Sequence, residues 1–370
     1  MKILLGTHYL AKTGGTESYT YALAMELKQL GHDVEHFAIV RGGVSSMLEE
    51  QGVPFMSSSN YDLILANHYT VVEKLWPYGF IIQTCHGNIA ELEQPSYDAD
   101  AYVAVSEEVK NHLLSKGIKT VKVIHNGIDC QRFFPKNPVS KKLTTVLSLC
   151  QSEVANYFIR KCCEQVGVTF LHSNKFIDNV WSVEELINRS DLVVGLGRSA
   201  YDAMACGRAV LVYDYREYMG EFLGDGMLTP ETIEKSLLCN CSGRASRLQF
   251  DEQAFIKEML KFTPELASWS REFALEHFNI KRAAQQYLDI YKGTDFKQEY
   301  LALKLRMNDI QKDDARTLEN MIADFEHQKE VLQTTFTKKN QKHLRAIRML
   351  LWLVIVLFVV LAAYIFFSRL

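Results

Sequence analysis

The amino-acid sequence predicts an α/β protein with two halves, each built on a parallel sheet, followed by a long helix and an apolar span near the C-terminus. The 370 residues are enough for two globular domains. Short apolar runs alternate with helix-periodic segments as far as about residue 292, the pattern of α/β folds. Near the C-terminus the composition changes sharply, because the last 22 residues include a long stretch without charges.

Charge and composition exclude several classes of protein. The 41 basic and 44 acidic residues give a net charge of −3. Because the chain as a whole has no excess of positive charge, nucleic acid is not an expected partner. The opening MKILLGTHYL is interrupted by His8 and lacks a cleavage site, so it predicts a buried strand rather than a signal peptide. The eight cysteines are scattered without metal-binding spacing and are interpreted as reduced thiols of a cytosolic protein.

The first half is predicted to span residues 1–137. Its strands are the apolar runs KILLGT, VEHFAIV, LILAN, FIIQTC, AYVAVS and KVIHN. Between the first two, residues 17–30 have helical spacing and stop at Gly31, a residue that commonly follows a helix. The second half is predicted to span residues 138–282, with the strands TTVLSL, VTFLHS, DLVVGL and AVLVYD and a short helix at 199–206.

Residues 296–348 contain neither proline nor glycine and repeat apolar residues with an 11-residue period. This pattern predicts one continuous amphipathic helix or coiled coil, ~80 Å long at about 1.5 Å per residue. Its apolar stripe could pair with a second copy of the chain or lie along a membrane, and the pattern leaves both open. The stripe consists of Leu303, Met307, Ile310, Leu318, Met321, Phe325, Leu332 and Phe336.

Residues 349–367 read MLLWLVIVLFVVLAAYIFF, 19 residues without a charge, and predict a transmembrane helix. Basic residues precede this span at Lys338, Lys339, Lys342, Arg345 and Arg348, whereas Arg369 alone follows it. Because positive charges favour the cytoplasmic side, the sequence predicts a single-pass, tail-anchored membrane protein with its folded part in the cytoplasm.

Two glycine-containing segments could bind an anionic ligand. Gly14 and Gly15 lead directly into the first predicted helix, where free N–H groups attract phosphate or carboxylate, although such a pair also suits a tight turn. Gly195, Gly197 and Ala200 formally satisfy a dinucleotide fingerprint, with Asp214 following 19 residues after Gly195. An oxidoreductase is not favoured, because the helix is short and no complete β-α-β repeat surrounds it.

A set of ordered motifs fits another class better. GGTE, CHG, AYVAVSEEVKNHL, VKVIHNGIDCQRFFP and YDAMACGRAVLV occur in that order. Together they closely resemble the retaining, family-4-type glycosyltransferases of the fold with two Rossmann-like domains (GT-B), over residues 1 to about 292. The closing FNIKRAAQQYLDIY resembles that family's last helix, and the resemblance implies that residues 283–295 cross back to the first domain.

The resemblance implies a role for each matching residue. Gly14 and Gly15 would face the donor diphosphate or the acceptor, and His86 would sit beside the transferred sugar. Asp202 would bind the donor ribose hydroxyls, since a carboxylate can accept two hydrogen bonds. Donor sugar and phosphate would lie against the loop that contains Gly195, Gly197 and Ser199.

The chain also departs from the family pattern. Val194 stands where the family has the first glutamate of its E-x7-E signature, and Cys150 and Gln151 stand where Gly-Arg is usual. Arg198 is the predicted substitute for neutralising the departing diphosphate, with a surface arginine as the alternative. Asp98 and Asp100 form a D-x-D pair. In the other major glycosyltransferase fold this pattern binds manganese. The two aspartates open a predicted strand here, so no metal site is expected.

The predicted function is a retaining, metal-independent glycosyltransferase that takes a nucleotide-sugar as co-substrate and needs no other cofactor. The membrane span favours a lipid-linked or polysaccharide acceptor at the cytoplasmic face. The alternative is a catalytically inactive relative that acts as a membrane-tethered scaffold, a hypothesis based on Val194, Gln151 and the long helix.

Overall fold

The computed structural model describes residues 1–174, 177 and 181–293, with the isolated positions 323 and 327. Met1–Leu301 forms one compact unit that contains both sheets. The predicted membrane span at 349–367 lies outside the described residues, as does the predicted helix at 296–348 apart from those two positions. Within the described part of the chain, no helix is long and apolar enough to cross a membrane.

The first sheet has six strands in the order β2-β1-β3-β4-β5-β6, all parallel. Strand β1 has β2 on one side and β3 on the other, so the strand order reverses there. In open α/β sheets ligands bind at such a reversal, beyond the carboxyl ends of the strands. The strands are β1 (Lys2–Tyr9), β2 (Asp33–Val40), β3 (Tyr61–Ala66), β4 (Gly79–Cys85), β5 (Ala101–Ala104) and β6 (Lys122–Val123).

The helices of the first half are α1 (Gly15–Gln29), α2 (Gly43–Glu50), α3 (Tyr69–Leu75) and α4 (Glu107–Ser115), with short 3-10 turns at Trp76–Tyr78 and Glu91–Glu93. Ser106 caps α4, because its side chain accepts the Val109 N–H at 3.3 Å. After α1 the chain turns through Gly31, whose φ of +84° suits glycine. The helices cover a sheet whose strands are apolar on both faces, as buried parallel strands are.

The second sheet has five strands in the order β11-β10-β9-β7-β8, parallel except for the β10–β11 pair. These are β7 (Thr145–Ser148), β8 (Thr169–His172), β9 (Leu192–Val194), β10 (Ala209–Arg216) and β11 (Glu221–Met227). The ten strands predicted from the sequence each coincide with a strand of the structure. Strand β11 was not predicted, because the glycine-containing EFLGDGM lacks a continuous apolar run.

After β7 the described residues form seven helices: α5 (Glu153–Gln165), α6 (Val183–Ile187), α7 (Arg198–Ala205), α8 (Ile233–Leu237), α9 (Glu252–Met259), α10 (Pro264–His277) and α11 (Ile280–Lys292). The short helix predicted at 199–206 corresponds to α7. All eight cysteines are free thiols, and seven of them are buried. The domain boundaries at residues 137 and 282 remain predictions.

Helix α11 packs on the core of the first half. Its buried face includes Ala284 and Tyr287, which belong to the same apolar cluster as Leu5 of β1 and Leu23 of α1. The Tyr287 hydroxyl accepts a hydrogen bond from Tyr19 at 2.9 Å and lies 2.8 Å from the Thr84 hydroxyl. The last described helix of the chain is therefore fixed to the first helix and to β4 by buried polar contacts as well as apolar packing.

We predict that Tyr287→Phe lowers the free energy of unfolding by about 1–3 kcal/mol, because it removes a buried hydroxyl shared by two partners and leaves both without it. Urea titration monitored by circular dichroism measures the change. Tyr97→Phe is the matched control, since the Tyr97 hydroxyl donates to the Lys116 carbonyl from a side chain that is 72% exposed. Equal effects of the two substitutions would contradict the assigned role of Tyr287.

Candidate active site

The carboxyl ends of β1, β3 and β4 bring several polar side chains to the point where the strand order reverses. His8 lies at the end of β1, Asn67 and His68 follow β3, and His86 follows β4. The His8 backbone N–H donates to His68 Nδ1 at 3.1 Å, and His8 Nδ1 lies 2.8 Å from the Thr70 hydroxyl. These contacts join the ends of β1 and β3 at the place where the fold favours a ligand.

Both ring nitrogens of His86 are hydrogen-bonded. Nε2 lies 2.9 Å from Asn67 Oδ1, and Nδ1 lies 3.0 Å from Asn126 Oδ1. The Asn67 amide donates to Thr20, which fixes its oxygen toward His86, so Nε2 carries the proton. Burial lowers the pKa of His86, partly opposed by the charge of Glu93. Both contacting atoms are amide oxygens, so each ring nitrogen faces an acceptor, and the hydrogen bond to Asn126 also raises the pKa of His86 against the effect of burial.

Glu93 fixes the backbone of His86. Its Oε2 accepts the His86 N–H at 2.6 Å, and its Oε1 lies 3.5 Å from His68 Nε2. Because His68 Nδ1 already accepts from His8, the His68 ring donates from Nε2 to this carboxylate. Burial opposes the charged form of Glu93, but the hydrogen bond from His68 and the nearby His86 lower its pKa overall. The carboxylate therefore stays ionised beneath the predicted sugar site.

In the second half, the predicted donor loop runs from the end of β9 into α7. Gly197 has a φ of +54°, which favours glycine, and its N–H donates to the Cys241 carbonyl at 2.9 Å. A Cβ on Gly195 would lie 3.1 Å from Ser199 Cβ, so the loop is tightly closed there. The structure places Gly195, Gly197 and Ser199 together, although the Gly197 N–H is already bonded within the protein.

Arg198, the first residue of α7, reaches across to the first half. Its Nη1 donates to the Gly127 carbonyl at 3.2 Å, and its Cδ lies 4.0 Å from the position that a Cβ on Gly15 would occupy. Its charge also acts on His86, where it adds to the larger effect of burial in lowering the pKa. The side chain is only 11% exposed. Arg198 thus lies near Gly15, and its charge reaches His86.

Asp202 lies one helical turn after Arg198, with its Oδ1 3.6 Å from Arg198 Nε. Both of these atoms are buried and have no hydrogen-bond partner among the described residues. Burial raises the pKa of Asp202 to about 6, partly opposed by the charges of Arg198 and Arg132. A buried polar atom without a partner costs free energy unless a ligand satisfies it. The pair therefore has unused capacity to bind hydroxyl or phosphate groups.

The departures from the family pattern are visible in the structure. Val194 is fully buried in the core of the second half, so no acidic group occupies its place. The Gln151 N–H donates to Asp214 at 3.3 Å. The later basic residues do not replace the missing arginine and lysine: Arg160 lies over the Phe170 ring and Lys161 pairs with Glu252 on α9.

A cavity of about 970 Å³ opens beside the first loop, and its lining includes Gly14, Gly15, Trp181 and Met47. Arg198 and Asp202 do not line it. A Cβ added to Gly14 would collide with the carboxylate of Glu17, which therefore folds back over the Gly14 backbone. An anion could approach Gly14 only after Glu17 turned away, a constraint that the sequence pattern did not reveal.

Two alternative motifs have other roles in the structure. Asp100 Oδ2 accepts the Ile81 N–H at 2.8 Å, so this carboxylate ties β4 to the start of β5. The Asp214 carboxylate accepts the N–H groups of Gln151 and Tyr215. In the described ranges no group of three or more His, Cys, Asp or Glu side chains is arranged to hold a metal ion.

Sequence reasoning missed Asn67, Asn126, His68 and Glu93. Asn67 and Asn126 each end a predicted strand, so a search for polar residues at carboxyl ends would have found them. Glu93 gives no such signal, because it lies in an irregular stretch after β4 and reaches His86 only through the fold of that stretch. Arg132 was missed as well. It donates to Glu184 at 3.1 and 2.9 Å and contributes to the electrostatic potential at Asp202.

One family model matches part of the chain. Residues 54–132 match the family described as Glycosyltransferase Family 4. The matched range includes His86 and the three residues that form hydrogen bonds with it, Asn67, Glu93 and Asn126. No curated protein matches the sequence.

Solved structures share the fold over most of the chain. The Anabaena HepE protein, solved with UDP-glucose, has a TM-score of 0.54 and 16% identity over 80% of this chain and all of its own. A putative UDP-N-acetylglucosamine 2-epimerase from Listeria monocytogenes has a TM-score of 0.50 and 13% identity, covering 80% of this chain and 98% of its own. An alpha-glucosyltransferase solved with UDP and DNA has a TM-score of 0.50 and 11% identity, covering 79% and 99%.

At these identities the likeness shows the fold, which is that of GT-B glycosyltransferases. Together with the family match at 54–132, it supports a glycosyltransferase. The α/β architecture with parallel sheets expected from the sequence is confirmed.

We predict that Asp202 makes stability depend on pH between about 4 and 6. Its pKa of about 6 in the folded chain exceeds the unfolded value of 3.8, so the folded state binds more protons in this window. The contribution of Asp202 to the free energy of unfolding should therefore fall by about 3 kcal/mol as the pH rises through it. The stability difference between wild type and Asp202→Asn, from urea titrations at several pH values, should change by the same amount. A pH-independent difference would contradict the assignment.

Proposed function

We propose that this chain transfers a sugar from a nucleotide-sugar donor to a lipid-linked or polysaccharide acceptor at the cytoplasmic face of a membrane. The observation that carries this proposal is the buried Arg198–Asp202 pair at the start of α7, whose Nε and Oδ1 atoms lack hydrogen-bond partners. Gly15 of the first half lies near Arg198, and the charge of Arg198 acts on His86. A buried cation and a buried carboxylate that each keep one atom without a hydrogen bond suit a ligand that carries both phosphate and hydroxyl groups.

Asp202 is proposed to accept hydrogen bonds from the donor's ribose hydroxyls, and Arg198 is proposed to stabilise the diphosphate as it departs. The bond between the sugar's anomeric carbon and the diphosphate oxygen breaks, and its electron pair moves to the diphosphate. The acceptor hydroxyl oxygen then bonds to that carbon, and its proton passes to the departing diphosphate oxygen. Arg198 can respond to the developing charge because a guanidinium binds phosphate in a bidentate manner. Retention of anomeric configuration and the lack of a metal requirement rest on the family resemblance.

A UDP-sugar is the proposed donor class to test first. Two of the similar structures were solved with UDP-glucose or UDP, which supports this order of testing. A thermal-shift screen against UDP-, GDP- and CMP-sugars tests it directly, because a ligand at 100 times its dissociation constant stabilises the fold by about 2.7 kcal/mol. Transfer of labelled sugar to membrane extracts then tests the reaction. If no nucleotide-sugar shifts the melting temperature, the proposed donor site is wrong.

An inactive, membrane-tethered scaffold is the second candidate. It is favoured by Val194, which places an apolar side chain in the core where the family has a glutamate, and by Arg160 and Lys161, which have partners elsewhere. Nucleotide binding without any sugar transfer would support this candidate.

We predict that Arg198→Ala lowers kcat by ~100-fold or more while weakening donor binding less, because the help from this cation grows as the leaving group gains charge. Steady-state kinetics and calorimetry with the best donor measure the two effects. Arg160→Ala is the matched control, since Arg160 lies over Phe170 and should leave both values unchanged. Equal losses in donor affinity and kcat/KM would make Arg198 a binding residue only.

We predict that the chain truncated after Lys292 stays folded and transfers sugar to a short, water-soluble acceptor. It retains both sheets and α11. On acceptors embedded in bilayers its rate should fall at least ~100-fold, because the proposed 349–367 anchor raises the effective concentration of enzyme near the acceptor. Vesicle flotation of both chains, with the rates on each acceptor, measures this. Equal rates on bilayer acceptors would contradict an anchoring role.

A further inference from the structure

One segment of the second half contacts both the predicted donor loop and the first half. We call residues 236–247 the bridging segment. On one side, the Gly197 N–H donates to the Cys241 carbonyl at 2.9 Å, and the Tyr201 hydroxyl donates to Asn240 Oδ1 at 2.8 Å. Asn240 and Cys241 thus hold the last residue before α7 and a residue of its first turns.

On its other side, the bridging segment is bonded to the start of α4. The Glu108 N–H, which has no partner within its own helix, donates to the Leu238 carbonyl at 2.8 Å. The Glu108 carboxylate accepts from Arg244 Nε at 2.8 Å and from Arg244 Nη2 at 2.5 Å. The two side chains are only 21% and 17% exposed, so this bidentate pair is partly shielded from water.

Asp225 keeps the bridging segment rigid. Its Oδ2 accepts the Ser236 hydroxyl at 2.6 Å and the Gly243 N–H at 3.2 Å, and its Oδ1 accepts the Ser246 N–H at 2.8 Å. Asp225 is 5% exposed. One buried carboxylate therefore binds the beginning and the end of the segment, so that a displacement at one end is transmitted to the other.

The residues that hold α7 have an unfavourable backbone conformation. Asn240 and Cys241 have φ values of 56° and 46°. These lie in the left-handed region of backbone conformation, which residues other than glycine rarely adopt. Such conformations persist where surrounding contacts fix them. Loosening the segment would let these two residues relax, and the Cys241 carbonyl would then move away from Gly197.

We propose that Glu108 and Arg244 are positioning residues for the donor loop Gly195–Ser199. Their ion pair fixes the bridging segment against α4, and the segment fixes Gly197 through the Cys241 carbonyl. The donor affinity of the second half therefore depends on a contact with the first half that touches no donor atom. This inference rests on the proposed function for the place of the donor, whereas the coupling between the ion pair and Gly197 does not.

The coupling is tested without any sugar, by hydrogen exchange on the full chain. Glu108→Gln keeps the shape and the backbone bond to Leu238 but removes the charge. The amides of residues 195–201 should exchange about 10-fold faster in this variant. The matched control is Glu252→Gln, which breaks the Lys161–Glu252 pair within the second half and should leave that exchange unchanged. Unchanged exchange in Glu108→Gln would overturn the proposal.

The effect on the site is tested with UDP as the probe. Glu108→Gln and Arg244→Glu should each weaken UDP binding about 10-fold in calorimetry. The charge-swapped chain with both Glu108→Arg and Arg244→Glu should recover most of that loss, which a merely structural defect would not do. Failure of the swap to recover affinity would overturn the positioning role.

Two results keep this test separate from the proposed function. If UDP does not bind the wild-type chain, the proposed donor site is wrong, whereas the exchange experiment still decides the coupling. If Glu108→Gln does not fold, as judged by its melting temperature, Arg244→Lys replaces it, because lysine keeps the charge but not the bidentate geometry. Faster exchange at residues 195–201 in Arg244→Lys would support the proposal, and unchanged exchange would overturn it.

Discussion

The geometry of the cleft depends on a close backbone crossing at Gly127. A Cβ there would lie 2.9 Å from the Cα of Ile280, so only glycine lets the two connections between the halves pass this closely. The Ile128 N–H donates to the Phe278 carbonyl at 2.6 Å, and the Ile280 N–H donates to the Ile128 carbonyl at 2.9 Å. Because Arg198 also donates to the Gly127 carbonyl, the same crossing also holds the cation of the proposed site.

Two buried carboxylates, Glu93 in the first half and Asp202 in the second, differ in pKa because their hydrogen bonds differ. Glu93 accepts the His86 N–H and a hydrogen bond from His68, and these contacts lower its pKa despite burial. Asp202 has Arg198 at 3.6 Å but no hydrogen bond to Oδ1, and burial raises its pKa to about 6. A carboxylate whose oxygens all accept hydrogen bonds within the protein holds its neighbours in place. A carboxylate with an oxygen that accepts none can bind a ligand there.

The sequence predicted the elements that depend on local pattern and missed the contacts that depend on topology. Ten strands were found because buried parallel strands are continuous apolar runs, and β11 was missed because glycines interrupt an antiparallel edge strand. Arg198 and Asp202 could be named from their motif. Glu93 contacts the His86 backbone, and Asn126, which follows β6, contacts the His86 ring. Both contacts arise because the sheet brings the end of β4 near these segments, and no periodicity of the sequence predicts them. The Glu17 carboxylate over Gly14 was equally invisible.

The burial of Val194 determines how charge is balanced in the site. Val194 pairs with Leu211 and Ser148 in the sheet, and its side chain lies in the core, so a carboxylate there would be buried without a partner. The site therefore has Asp202 as the carboxylate beside Arg198. Near pH 6 Asp202 is partly protonated, and a protonated carboxyl no longer neutralises the guanidinium. An anion that reached this pair would then meet an uncompensated cation, and Asp202 can hydrogen-bond to hydroxyl groups in either protonation state.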